Sequence, residues 1–326
     1  MKPFRTLLFY KYVQVDDAEE FAARLLEFCR EISIKGRLIV APEGLNGTVS
    51  GTPEQCQRLV DFLEADPRFG GIDYKTDEVD EPSFQKIFVR FKPEIVHSGL
   101  RDPEQINPMK ETGIHLKGAD FLQLKDQEDV VILDVRSNYE HQLGKFKNAI
   151  TLDMENFREF PGKLAELEHL KDKKVITYCT GGIKCEKASA LLLQQGFKQV
   201  FQLEGGIIKY AAETGGRDFE GQCYVFDNRI AVAVNTVNPV TISRCRICGT
   251  PTARMVNCAN PECNDHFVLC EPCGDQLHGC CSAACAAHPR RRTYDGTGYY
   301  QKGEQSFVNP AAAHKRAFNR RRQEEA

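Results

Sequence analysis

Read from the N-terminus, the apolar positions first suggest short strands alternating with helices. TLLFYKYV (6–13) has the length and the aromatic and β-branched content of a strand. In DAEEFAARLLEFCREIS (17–33), Phe21, Leu25, Phe28 and Ile32 recur at helical spacing. GRLIVAPEGLNGTVSG (36–51) reads as two strands around a Pro/Gly/Asn turn. Thr52 then caps a second helix that begins with Pro53. FQKIFVRFK (84–92) ends the unit as a strand, with Ile87, Val89 and Phe91 on one face and Lys86, Phe88, Arg90 and Lys92 on the other. The order β-α-β-β-α-β predicts a ferredoxin-like, acylphosphatase-like α+β domain over 1–100.

A polar stretch with two prolines, 101–117, reads as a linker. The pattern after it is different. VVILDVR (130–136) and KKVITYC (173–179) are continuous apolar runs, as expected of strands buried on both faces. Helical patterns at 119–126, 163–170, 185–197 and 207–215 separate them from FKNAITLD (146–153) and KQVFQLEGG (198–206). This predicts a parallel α/β domain over 118–218.

Composition matters most in the remainder. Of fourteen cysteines, nine lie between Cys245 and Cys285. The start of the chain has only a four-residue apolar patch, which reads as a strand and not as a secretory signal, so the cluster suits metal better than disulfides. The candidate ligands are Cys245, Cys248, Cys258, Cys263, Cys270, Cys273, Cys285 and either Cys280 or Cys281, with Cys281 preferred. They make two structural four-ligand zinc sites, paired sequentially or interleaved, in which His266, His278 or His288 could replace a thiolate. This cysteine-rich lobe spans 219–290, and a basic tail spans 291–326, including Arg320, Arg321 and Arg322. The net charge of −3 gives no global argument for nucleic-acid binding, and no apolar run approaches the ~20 residues of a membrane span. A cytoplasmic location is expected. No flavin, haem or nicotinamide fingerprint is present, so no organic cofactor is identifiable.

The sharpest chemical signal is YCTGGIKCEKAS (178–189). Cys179 ends a buried strand, and a helix begins about six residues later, where parallel α/β folds bind ligands. Gly181 and Gly182 let peptide N–H groups turn inward, the helix adds its positive end, and Lys184 adds a cation. All three favour a thiolate, so the Cys179 pKa should fall below the ~8.5 of a free thiol. Thr180 and Ile183 complete the loop. Cys185 is either a resolving thiol or, preferably, a small packing residue.

LDVRSNYEHQLGKFKNAI, CTGGIKC and LEGGI together resemble a rhodanese domain. The resemblance makes Cys179 the nucleophile, carrying a persulfide or related adduct. It makes Asp134 and Arg136 an acid–arginine pair that organises the pocket, and Glu204 part of the closing loop. Arginine is common in that family where this chain has Lys184. PEGLNGTVSG (42–51), FKPEIVHSG (91–99) and CTGGIKCEKASA (179–190), in that order, are similar to the bacterial tRNA uridine hydroxylases (TrhO). This implies a ferredoxin-like domain joined to a rhodanese domain, tRNA as partner, and oxygen-dependent formation of 5-hydroxyuridine at the wobble position.

Lys86, Phe88, Arg90 and Lys92 form a basic strand face around an aromatic ring, suited either to RNA or simply to solvent. Asn46 either shapes a pocket or sits in a hairpin turn. His97 and His141 read as structural. Two competing functions remain at this stage: sulfur transfer through a Cys179 persulfide, and zinc-dependent RNA binding without catalysis.

Overall fold

A computed structural model describes residues 2–102, 105–298 and 300. The basic tail beyond 300, with Arg320 to Arg322, lies outside the described residues.

The N-terminal unit comprises β1 (Phe4–Tyr12), α1 (Ala18–Glu31), β2 (Lys35–Ala41), β3 (Gly44–Gly51), α2 (Pro53–Glu64), β4 (Lys75–Val79) and β5 (Ile87–Phe91). The sheet order is β4-β1-β3-β2-β5, antiparallel except where β5 lies parallel to β2. Alternation in β1 sends Leu7 and Phe9 into a core shared with Phe21 and Leu25 of α1 and Leu59 and Leu63 of α2. Thr52 caps α2 as expected: its hydroxyl accepts from Gln55 N at 3.2 Å, and the Gln55 side chain accepts from Thr52 N at 2.8 Å.

Three local expectations change. The ferredoxin-like unit is closed by β4, which the apolar pattern misses, and FQKIFVRFK is an additional strand on the opposite edge. In KTDEV only the two ends are buried, so no alternation marks it as a strand. Phe91, expected on the core face, is 40% exposed, because β5 ends there at the sheet edge. The β2–β3 turn is Pro42–Glu43, since Ala41 already pairs with Gly44; Asn46 sits inside β3 and donates to Ile95 O at 3.2 Å.

The second unit runs β6 (Ile114–Leu116), α3 (Gly118–Leu124), β7 (Val130–Asp134), α4 (Asn138–Leu143), β8 (Gly144–Phe146), β9 (Ile150–Thr151), a 3-10 helix (Phe157–Leu170), β10 (Lys174–Tyr178), α5 (Ile183–Gln194), β11 (Gln199–Leu203) and α6 (Gly206–Thr214). Its main sheet, β6-β11-β10-β7-β9, is wholly parallel, with apolar clusters on both faces. Pro161 lies inside the 3-10 segment, where an α-helical ladder would lose a hydrogen bond.

The remaining elements are short. β12 (Phe219–Gly221) pairs with β8, β13 (Cys223–Tyr224) with β14 (Ala231–Val232), and β15 (Met255–Asn257) with β16 (His266–Val268). α7 (Glu271–Gln276) and α8 (Ala283–Ala286) complete the cysteine-rich lobe. Arg292 is not part of a free tail. It is buried, donating to the carbonyls of Cys258 and Ala259. Among the described residues no helix is long and apolar enough to cross a membrane.

Candidate active site

β10 delivers Cys179 to a tight loop that ends in α5. Gly182 takes φ +95°, a left-handed conformation open to glycine at little cost, and this turns its N–H onto Cys179 Sγ at 3.2 Å. The loop is backed by Gly206, where a Cβ would lie 2.5 Å from Cys179 O. Ile207 N and Ile208 N donate to the carbonyls of Cys179 and Thr180, so the LEGGI segment clamps the thiol loop from behind.

Cys179 is 1% exposed. Burial pushes its thiol up, but a hydrogen bond from the Cys185 thiol, the Lys184 ammonium and the Lys184 and Gly182 N–H groups outweigh it. The balance holds Cys179 below the usual thiol range. Cys185 is itself wholly buried, and burial together with its bond to Cys179 pushes its own thiol well up. Of the two thiols, Cys185 is the one that stays protonated. Lys184 Nζ is 2.6 Å from Glu140 Oε2 and 5.4 Å from the centroid of the exposed Phe226 ring. Its charge is therefore shared between a carboxylate and the loop. Thr180 Oγ1 donates to Tyr224 O at 3.3 Å.

Asp134 and Arg136 form a two-bond pair of 2.9 and 2.7 Å, and both are fully buried. Arg136 also donates to Gly144 O at 2.7 Å, and Tyr178 donates to Asp134. The pair ties β7 to α4 and β8 behind the loop and does not line an open pocket. Glu204 lies at the surface of the site and accepts from Lys209 at 2.6 Å.

The N-terminal sheet covers this loop. A methyl group on Gly181 would come 2.9 Å from Leu8 Cδ2, and one on Gly182 would come 3.1 Å from the Tyr10 hydroxyl. Tyr10 donates to Glu186 Oε1 at 2.9 Å. Glu186 also accepts from Thr112 at 3.0 Å and Gln202 at 2.8 Å and pairs with His115 at 3.1 Å. Burial raises the Glu186 carboxyl, but these partners, His115 first, hold it below the usual range. One residue on, Lys187 is 1% exposed and lies 2.8 Å from Glu43 and 2.7 Å from Glu94. The three motifs PEGLNG, FKPEIVHSG and CEKASA thus meet at a single ammonium. His97 Nδ1 is 3.0 Å from the same Glu94, and His141 Nε2 is 3.1 Å from Asn138. Tyr10, Glu140, Glu186 and Lys187 were not found by sequence reasoning. Only the charges at helical positions 186 and 187, in an otherwise buried helix, hinted at partners.

Lys86, Phe88, Arg90 and Lys92 are all exposed, with Arg90 5.3 Å from the Phe88 ring centroid. Strand register puts Leu8, Thr48, Arg37 and Phe88 in one cross-strand row, hence on one face of the sheet. The face that covers the thiol loop therefore continues outward to the basic edge.

In the cysteine-rich lobe, Cys245, Cys248, Cys270 and Cys273 form one group and Cys258, Cys263, Cys281 and Cys285 another, each with all sulfurs within 4.8 Å. The pairing is interleaved. Cys280 is buried beside the second group without belonging to it, and neither group includes a histidine. Observed S···S separations of 3.6–3.7 Å match the roughly 3.8 Å edge of a tetrahedron with metal–sulfur bonds near 2.3 Å. Both groups can hold a metal ion.

The family models that match are the UPF0176 acylphosphatase like domain over residues 4–95, the rhodanese-like domain over 118–213 and the rhodanase C-terminal domain over 220–286. A tRNA uridine(34) hydroxylase of Cytophaga hutchinsonii is 56% identical, covering 93% of this chain and 96% of its own. One from Bacillus mycoides is 48% identical over 89% of this chain and 92% of its own. Among solved structures, a rhodanese-related protein of Thermoplasma volcanium aligns at 28% identity over 31% of this chain and 93% of its own, with a TM-score of 0.27.

Proposed function

Because the chain belongs to the tRNA uridine(34) hydroxylase family, we propose that it hydroxylates the wobble uridine of tRNA with Cys179 as nucleophile. The observation carrying this reading is the Cys179 sulfur, which accepts the Gly182 N–H at 3.2 Å at the start of α5. Peptide dipoles, the helix end and Lys184 all favour negative charge there.

Uracil is electrophilic at C6. Addition of the thiolate at C6 moves the C5–C6 π electrons towards C5 and O4, so C5 can attack an oxygen donor. Loss of the C5 proton and departure of Cys179 from C6 then restore the double bond. With molecular oxygen as donor, an external two-electron reductant, such as a dithiol oxidised to its disulfide, supplies two electrons and two protons, and the second oxygen atom leaves as water. The Lys184 ammonium and the loop N–H groups stabilise the sulfur anion before addition and after release. Lys86, Phe88, Arg90 and Lys92 serve as the RNA-facing edge, with cations on phosphates and the ring against a base. The two sulfur groups hold structural zinc. Four thiolates close each site, leaving no position for chemistry. Action on tRNA makes the cytoplasm the expected location.

Mass analysis of tRNA nucleosides tests this in a strain lacking the gene and complemented with wild type or Cys179→Ser. Wild type restores 5-hydroxyuridine and Cys179→Ser does not. A missing sulfur atom in place of a missing oxygen would mark a sulfurtransferase, and full restoration by Cys179→Ser would remove the nucleophile.

A further inference from the structure

The hairpin loop between β13 and β14 (225–230) leaves one large ring in water. Phe226 is 43% exposed, whereas Val225, Asp227 and Ile230 around it are buried. The ring does not sit on a frayed tip. Val225 N donates to Ile230 O at 2.8 Å, and Asn228 N donates to Ser83 O of the N-terminal unit at 3.0 Å. Arg229 pairs with the buried Asp227 at 2.6 Å and, across the domain boundary, with Asp77. Ile230 is held at φ +60°, a left-handed conformation that a β-branched residue adopts only under constraint. The loop is thus fixed to both units, and Phe226 is the apolar side chain it presents outward.

The surroundings of the ring supply positive charge. The Lys184 ammonium lies over it, 5.4 Å from the centroid, and Tyr224 meets it edge-on at 5.2 Å. Tyr224 O also accepts from Thr180, so the ring stands beside the thiol loop. On the facing sheet, Arg37 lies in the row of Leu8 and Phe88, near enough to Tyr224, Asp227 and Arg90 to feel their charges. Arg37 is exposed and has no ion-pair partner among the described residues. The acids at this spot are matched, Asp77 and Asp227 by Arg229 and Glu140 by Lys184. A fixed aromatic ring with an unpaired guanidinium beside it suits a nucleobase and its phosphate.

We propose that Phe226 is a stacking platform for the anticodon-loop base next to the target uridine, with Arg37 on an adjoining phosphate. The inference rests on the reading that the chain acts on tRNA and adds the residue that holds the RNA at the thiol loop. Phe226 acts through the neighbouring nucleotide, so it is a positioning residue. Stacking uses the face of a base and not its edge, so the platform accepts any base.

The test is binding of the full chain to anticodon stem-loop RNAs that keep uridine at the wobble position. One is complete, and two others lack the base directly upstream or directly downstream of that uridine. Phe226→Ala should weaken binding of the complete loop about 5- to 100-fold, the value of one base stacked on an aromatic ring. The loss should vanish for one of the two base-less loops, which a merely structural role would not produce. Its size should not vary with salt, because no phosphate contact is removed. Phe226→Trp should bind like wild type. Arg37→Gln should instead lower the salt slope by about 0.7, one phosphate contact on a single strand; an unchanged slope would remove that contact. Wild-type affinity in Phe226→Ala, an equal loss for all three loops, or no rescue by Phe226→Trp would overturn the platform. Hydroxylation is read separately. If wild type restores 5-hydroxyuridine while Phe226→Ala binds normally, the platform alone falls. If wild type fails to restore it while the loop-specific loss persists, the hydroxylase reading alone falls.

Discussion

Cys179 shows how one residue's chemistry depends on its donors. A thiol so thoroughly removed from water would ordinarily be inert. Here the Gly182 N–H donates to its sulfur at 3.2 Å, and the Cys185 thiol and the Lys184 cation add to the pull that lowers its pKa. Alkylation of Cys179 by iodoacetamide, followed by peptide mass analysis across pH, should show a midpoint below the ~8.5 of a free thiol. The sign follows from the direction of the shift: reactivity persists below pH 8.5 and is lost as pH falls through the folded-state value. Cys185→Ala should move the midpoint upward, and Cys185→Ser, which keeps a donor, should hold it down. A wild-type midpoint at or above 8.5 would contradict the cradle.

At the scale of elements, α5 carries more than its apolar pattern suggests. Its buried face holds Cys185, Ala188 and Leu192, as helical spacing requires, but Glu186 and Lys187 are buried too. Helical periodicity could not reveal that, because their partners lie in other elements: β1, β6, the β2–β3 turn and the segment after β5. The same limit hid β4, whose place in the sheet comes from pairing with β1 and not from its own residues. What was legible was whatever one element encodes alone: the strand–loop–helix around Cys179, the Thr52 cap and the parallel strands. Lys187 gives the element-scale prediction. Replacing it with Met leaves Glu43 and Glu94 facing each other without a cation and should cost about 3–5 kcal/mol of stability at neutral pH. Burial raises Glu94, but its bonds from Lys187 and Ser98 hold it below the usual carboxylate range. The ion pair's contribution is therefore present above the unfolded carboxylate value of ~4.3 and lost as pH falls through the lower folded value. Denaturant melts should show the gap between Lys187→Met and wild type narrowing on acidification. A gap that is absent at neutral pH would mean the ion node does not hold the domains together.

At the scale of the molecule, the sulfur groups sit far along the sequence from Cys179 but only a few contacts away in the fold. The interleaved groups brace β15 and β16, which lie between their ligands. Met255 and Val268 of that hairpin pack with Tyr139 and Leu143 of α4, and His266 lies 6.1 Å from the Tyr139 ring centroid. The next residue of α4, Glu140, holds Lys184. Metal would thus stabilise the lobe, the lobe would position α4, and α4 would position the cation beside the thiol loop. A lobe whose core is largely cysteine has little other apolar material to fold around, so much of its folding free energy should come from the metal. Purified protein should contain two zinc ions per chain by elemental analysis. Cys263→Ser should lower this to one, whereas Cys280→Ser, outside both groups, should leave two. Stripping the metal with a chelator should unfold the lobe and slow Cys179 alkylation near neutral pH, because a displaced Glu140 no longer fixes Lys184. An unchanged alkylation rate in fully stripped protein would show that the loop keeps its thiolate without help from the lobe, and the relay through α4 would be wrong.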